Sequence, residues 1–230
     1  MPLSPSPTLR RCVLVFVRAP IAGTVKTRLA ARLDSEAIAA LYRCFVEDTL
    51  EMLAACRTDV AVFFHPPDAE PVIRAWLSTQ WAIVAQQGGS LGARMHSAFA
   101  WAFASGYDQA LCIGTDIPEI HPGIVAEAFE GVRQNGCTVG PAVDGGYYMI
   151  GFAAGCLPSQ VFADDIPWGT AGVIDITVGR LRAAGLQVET LPPLHDIDTP
   201  SDLKTLQSRI RSGGHTLQRT RAFMSGIHLE

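Results

Sequence analysis

Several short stretches of the chain carry residue types that could do chemistry together, and four of them follow strand-like apolar runs. Ala19-Pro-Ile-Ala-Gly-Thr-Val-Lys-Thr-Arg28 offers Gly23 for close backbone approach to a ligand, Lys26 as a point charge for phosphate oxygens and Arg28 as a planar fork. Of 18 basic residues only Lys26 and Lys204 are lysines, so a lysine here goes against the habit of the chain. A P-loop, G-x-x-x-x-G-K-[ST], is the obvious comparison and it fails. The residue before the lysine is Val25, whose β-branch resists the positive φ that such a cradle can require. An exposed basic loop is the competing reading of the same residues.

Ile113-Gly-Thr-Asp-Ile-Pro118 ends a buried run in Asp116, a carboxylate suited to a hard divalent cation that bridges phosphate oxygens, or equally to a turn or helix cap. In His195-Asp-Ile-Asp-Thr-Pro200, an extended backbone would point Asp196 and Asp198 to the same side, although Asp198 could merely help to cap the helix that Thr199 opens. Gly140-Pro-Ala-Val-Asp-Gly-Gly-Tyr-Tyr148 contains the turn signal Asp144-Gly145 and reads as a hairpin. Its glycines and tyrosines also fit a ligand pressed against backbone with aromatic rings as a wall. Gln86-Gln-Gly-Gly-Ser-Leu-Gly92 looks like a further binding loop followed by Arg94, or a flexible lead into a helix capped by Ser90. Trp168 shapes an acceptor pocket or simply packs. No G-x-S-x-G elbow or Cys-His constellation supports nucleophilic hydrolysis.

The elements that must position these residues alternate. Strands are expected at 12–17, 60–64, 81–85, 110–113, 137–141, 146–152 and 188–191. Helices are expected at 35–56, 68–78, 91–103, 122–134, 171–184 and 199–211, the first capped by Asp34 and the last opened by a Thr199/Asp202 capping box. This order implies right-handed βαβ crossovers and a mostly parallel sheet covered on both faces, a three-layer α/β/α Rossmann-like domain over residues 11–211. Residues 1–10 read as a flexible tail, and residues 212–230 as a solvated tail holding Arg219 and Arg221. In such sheets the ligand sits outside the carboxyl ends of the strands, which is where the polar motifs fall.

Composition narrows the function. With 230 residues, 48% hydrophobic and 17% charged, the chain can bury a core, and disorder of the body is excluded. A net charge of −4 offers no attraction to nucleic acid or to an anionic membrane, so neither is expected as a partner. No run approaches the ~20 apolar residues of a membrane span, and a cytoplasmic protein is expected. The six cysteines contain no C-x-x-C, which points to neither a disulfide framework nor a zinc site. Oligomeric state is left open.

Taken in order, A-P-x-x-G-x-x-K-T-R, G-G-S-L-G-x-R-M, I-G-T-D-I-P, G-P-A-x-D-G-G-Y-Y, W-G-T and D-I-D-T-P-x-D-L resemble a bacterial family of nucleotide-diphospho-sugar transferases with the glycosyltransferase-A fold, over about residues 11–208. Its members are described as arsenosugar-biosynthesis glycosyltransferases or radical-SAM/selenodomain-associated transferases. A more distant likeness is to phospholactate and molybdenum-cofactor guanylyltransferases. The resemblance implies that Ala19, Pro20, Gly23, Lys26 and Arg28 wrap a nucleotide, with Gln87, Gly88, Gly92, Arg94 and Thr115 as further contacts. It implies that Asp116 and Asp198 hold Mg2+ or Mn2+, and that Gly145, Gly146, Tyr147 and Trp168 face an acceptor. Lys26, Arg28 and Asp144 are the catalytic candidates. Two departures from the pattern, a shortened glycine-rich loop and an acidic triplet that reads Gly114-Thr-Asp116, leave two reactions open. One is glycosyl transfer from a nucleotide sugar to a small acceptor, and the other is nucleotidyl transfer with release of pyrophosphate. A nucleotide-binding protein without turnover is a third reading.

Overall fold

The computed structural model describes residues 9–77, 79–212 and 217–227. In chain order these form β1 (Arg11–Arg18), α1 (Ser35–Ala54), β2 (Asp59–His65), α2 (Glu70–Trp76), β3 (Ala82–Ala85), α3 (Leu91–Ala104), β4 (Gln109–Ile113) and α4 (Pro122–Asn135). There follow β5 (Cys137–Pro141), β6 (Tyr147–Ala153), α5 (Val173–Ala183), β7 (Glu189–Thr190), α6 (Pro200–Arg211) and α7 (Gln218–Ser225). Short 3-10 turns lie at Thr27–Ala31, Pro67–Ala69 and Ser159–Phe162.

The strands make one sheet in the order β3-β2-β1-β4-β6-β5-β7. β1, β2, β3 and β4 run parallel, as do β5 and β7, whereas β6 is antiparallel to both β4 and β5. β1 shows why a continuous apolar run was needed. Val13, Val15 and Val17 enter one core with Phe45 of α1 and Ile124 of α4, while Cys12 and Leu14 enter the other with Met95 and Phe99 of α3. A strand buried on both faces cannot alternate apolar with polar.

Local signals in the sequence account for the helix starts. Asp34 accepts a hydrogen bond from Ala37 N at 2.8 Å, and Ser90 accepts one from Ala93 N at 3.2 Å. At α6 the capping box is complete: Thr199 N donates to Asp202 Oδ2 at 2.7 Å, and Asp202 N donates back to Thr199 Oγ1 at 3.3 Å. Each such cap contributes about 1 kcal/mol.

Parts of both expected tails are packed against the body. Arg10 is anchored, its backbone N donating to Asp108 Oδ2 at 2.8 Å and its guanidinium lying 4.5 Å from the Tyr107 ring centroid; residues 1–8 lie outside the described residues. At the other end, residues 217–227 are not a solvated tail. The buried carboxylate of Asp48, on α1, accepts hydrogen bonds from Arg219 N at 3.0 Å and Thr220 N at 2.9 Å, capping α7 from another element. The Arg219 guanidinium pairs with Glu47 at 2.9 Å and with Glu51, and Leu217 and Met224 are buried. The acids that neutralise this tail stand about 170 residues earlier, where a reading of local charge could not find them. Residues 213–216 and 228–230 of that tail lie outside the described residues.

Candidate functional site

The carboxyl ends of β1, β2, β3 and β4 open onto a cleft of about 560 Å³, with a side pocket of about 150 Å³ beside it. One hydrogen bond explains why distant acids meet there. Ile197 is fully buried and its N donates to Asp116 O at 3.0 Å, which fastens the 195–198 segment to the end of β4. With Ile197 turned into the core, Asp196 and Asp198 both face outward into the pocket, as alternation predicts.

Lys26 joins the two acids. Its Nζ lies 2.5 Å from Asp116 Oδ1 and 2.7 Å from Asp198 Oδ1, and only 4% of its side chain is exposed. Burial disfavours the charged amine, but the flanking Asp116 and Asp198 carboxylates outweigh it and hold the ammonium above the ordinary lysine range. The backbone at Lys26 is left-handed, φ 46° and ψ 40°, a conformation that costs a residue with a side chain on the order of 1 kcal/mol. Positive φ therefore falls on Lys26 and on Gly23, while Val25 is buried in the core. Arg28 is 75% exposed and stands 3.7 Å from Asp198 Oδ2.

Tyr42 of α1, which no motif in the sequence singled out, ties the strand ends together. Arg18 N donates to its hydroxyl at 2.9 Å, and the same hydroxyl shares a hydrogen bond of 3.0 Å with Thr115 Oγ1. Burial drives the Tyr42 phenol far above its usual range, with the Asp116 charge adding to the effect. Thr115 lines the cleft, but its hydroxyl is engaged in this bridge. Arg18 and His65, paired in register across β1 and β2, also line the cleft and were likewise missed. A usable signal existed, because each is the last residue of an apolar strand. His65 is held below the ordinary imidazole range by burial, then by Arg94 and Arg18.

The Gln86–Arg94 loop contributes differently from expectation. Gln86, not Gln87, lines the cleft, with its Nε2 donating to Phe63 O at 2.9 Å; the Gln87 amide turns back to Ala85 O at 3.5 Å. Arg94 lines the cleft while its Nε donates to Gly88 O at 3.1 Å, bracing the loop. Gly88 and Gly92 shape the wall without lining it: a Cβ at Gly92 would lie 2.3 Å from Phe162 O and 2.9 Å from Trp168 Cζ2. Ala19 is buried, and neither it, Pro20 nor Gly23 lines the cleft.

Across the cleft, Asp144 sits exposed on the turn between β5 and β6, its Oδ1 accepting from Gly146 N at 2.9 Å. Gly146, Tyr147 and Trp168 line the cleft. Gly145 instead faces the loop before α5, where φ is +94° and a Cβ would fall 2.1 Å from Ala171 O, so it docks that loop and does not reach the cleft. Tyr147 and Trp168 meet edge to face at 6.3 Å between centroids. Asp116, Asp144, Asp196 and Asp198 all line the side pocket, and Asp196 is pushed above the usual carboxylate range by burial, then by Asp144 and Asp198. Among the described residues no set of three His, Cys, Asp or Glu side chains is grouped to hold a metal unaided.

A mostly parallel sheet between two helical layers, with its polar residues gathered at the strand ends, defines an α/β nucleotide-diphospho-sugar transferase fold of the glycosyltransferase-A type. The chain belongs to the DUF2064 family, described as an uncharacterized protein conserved in bacteria, which matches residues 49–170. A protein of Desulfovibrio desulfuricans G20 named as a nucleotide-diphospho-sugar transferase is 38% identical, with a TM-score of 0.88 and 95% of each chain covered. A cytidylyltransferase from Leptospira borgpetersenii serovar Hardjo-bovis shares the fold at TM-score 0.58 and 14% identity, covering 96% of this chain and 94% of that one. Rv0371c of Mycobacterium tuberculosis H37Rv, in complex with manganese, does so at TM-score 0.51 and 18% identity, covering 86% and 97%. No curated protein matches the sequence significantly. By its likeness to the Desulfovibrio protein the chain stands among the transferases of this fold. No helix among the described residues is long and apolar enough to cross a membrane.

Proposed function

We propose that the protein transfers a glycosyl group from a nucleoside-diphosphate sugar to a small hydroxyl-bearing acceptor, with Mg2+ or Mn2+ as cofactor. The observation that carries this reading is the convergence of Asp116, Asp198, Lys26 and Arg28 at one point between a basic wall and an aromatic, acidic one. The two carboxylates fit a divalent cation of this kind, because magnesium is usually held by one or two carboxylates with substrate phosphates and water filling its other positions. The manganese complex of Rv0371c, a protein that shares the fold, supports that choice of metal.

When bound, such a cation would neutralise charge developing on the departing diphosphate. The protein's own residues do the rest. Arg28, largely exposed, reaches phosphate oxygens with a planar fork. Arg18 and Arg94 line the same wall at the ends of β1 and the start of α3, on the nucleotide side. On the opposite wall Asp144 orients the acceptor hydroxyl and takes its proton, with Tyr147 and Trp168 excluding water around it; the lining of the cleft by these three side chains supports this assignment.

Nucleotidyl transfer to a substrate phosphate, with the cytidylyltransferases that share the fold as its model, would bring an anionic acceptor to the site. The side pocket argues against it, because Asp144 and Asp196 would repel an anionic acceptor. Incubation with nucleotide sugars, and separately with nucleoside triphosphates, each with manganese, tests both. Release of nucleoside diphosphate, lost about a hundred-fold or more in Asp116→Asn and Asp198→Asn, is expected. Release of pyrophosphate from the triphosphates would overturn glycosyl transfer in favour of the other chemistry.

A further inference from the structure

The ammonium of Lys26 stands where a cation shared by Asp116 and Asp198 would have to stand, since it contacts one oxygen of each at 2.5 and 2.7 Å. It is buried there, held by a residue whose backbone is left-handed. With Arg28 3.7 Å from Asp198, two positive and two negative charges cancel. A divalent cation arriving alone must evict the ammonium and leaves it unpaired beside a double positive charge. A nucleotide arriving alone must approach Asp116, whose carboxylate is 57% exposed. Arriving together, the phosphates draw off Lys26 while the vacated carboxylates turn to the cation, so each ligand removes the obstacle to the other.

We propose that Lys26 is a resident counter-ion that makes cation binding and nucleotide binding mutually dependent, keeping free divalent cation out of the site until a phosphate group withdraws the ammonium. This rests on the nucleotide reading of the cleft and adds to it an order that the residues themselves impose. Coupling of this kind is reciprocal, so the factor by which nucleotide tightens the cation equals the factor by which the cation tightens nucleotide.

The experiment is titration of Mn2+ into the full chain, followed by the electron paramagnetic resonance signal of the free ion, alone and with GDP, UDP or CDP present. In the native protein Mn2+ alone is expected to bind weakly, and the nucleotide that fits should tighten it by roughly 5- to 150-fold. Lys26→Met should bind Mn2+ alone about ten-fold or more tightly than the native protein, and its coupling to nucleotide should shrink. Lys26→Arg keeps a cation in place and should exclude free Mn2+ as the native chain does, which guards against a general loosening of the site; far-UV circular dichroism checks that both variants fold. Equal Mn2+ affinity in the native protein and folded Lys26→Met, with nucleotide binding intact, would overturn the counter-ion role and leave the nucleotide reading standing. Absence of any nucleotide effect in every form would overturn the nucleotide reading and the mutual dependence together.

Discussion

The two walls of the cleft are built from different kinds of backbone, and their charges differ accordingly. On one side the parallel strands β1, β2 and β3 end in register, and their last residues and the adjoining loop of α3 present Arg18, His65, Gln86 and Arg94. On the other side the β5–β6 hairpin presents Asp144 and Tyr147, the loop before α5 presents Trp168, and the segment after β7 presents Asp196. The junction between them is the Lys26 bridge to Asp116 and Asp198. Parallel strand ends leave side chains free for a ligand that lies across several strands, whereas a hairpin turn projects a single acid over the rim. Such polarity suits an anionic donor on the first wall and a neutral hydroxyl on the second.

The sharpest way to break this division is Asp144→Asn, which keeps an oxygen that can accept from Gly146 N but cannot take a proton. Turnover is expected to fall about a hundred-fold or more with nucleotide affinity unchanged, measured by product release and by calorimetric binding. A parallel loss of nucleotide binding would show that the walls do not divide the substrates.

Tyr42→Phe addresses the first wall and the junction together, because it deletes the hydroxyl that joins Arg18 N to Thr115. Leaving these groups without their partner should cost about 1–3 kcal/mol in urea unfolding. An unchanged midpoint would show that the strand ends hold without the bridge.

The smallest effect concerns Asp202, whose Oδ2 accepts from both Thr199 N at 2.7 Å and Asp198 N at 3.2 Å. Burial opposes its charge, but hydrogen bonds from Thr199 and Asp198 prevail and hold its carboxyl below the usual range. A carboxylate with a depressed folded-state value adds stability above its unfolded value of about 3.9, and that stability is lost as pH falls through the folded value. Asp202→Asn should therefore cost about 1 kcal/mol at pH 7, with the gap to the native protein closing below about pH 4. A gap independent of pH would mean that the hydrogen bonds, and not the charge, carry the cap.

Much of the framework was legible in the residues. Apolar run length marked β1 and β4, spacing marked α1, α3 and α4, and the caps at Asp34, Ser90 and Thr199 are present as expected. The Asp144-Gly145 turn joins β5 and β6, and β6 runs antiparallel between β4 and β5. Less of the cleft could be read. Gln86 and Gln87 are adjacent and chemically identical, and only the register of β3 on β2 decides which faces the cleft. Gly145 looked like a ligand contact, yet its missing Cβ serves the loop at Ala171.

Types and local spacing determined the strands, the helix starts and which residues could carry charge at strand ends, because hydrogen bonds and side-chain periodicity within a short segment depend only on neighbours in the chain. Tertiary structure alone decided that Lys26 meets an acid 172 residues away, that Tyr42 joins two strand ends, and that α7 is capped by Asp48. These are encounters between distant segments, and their partners are selected by how the sheet and helices pack and not by any property of the segments taken singly.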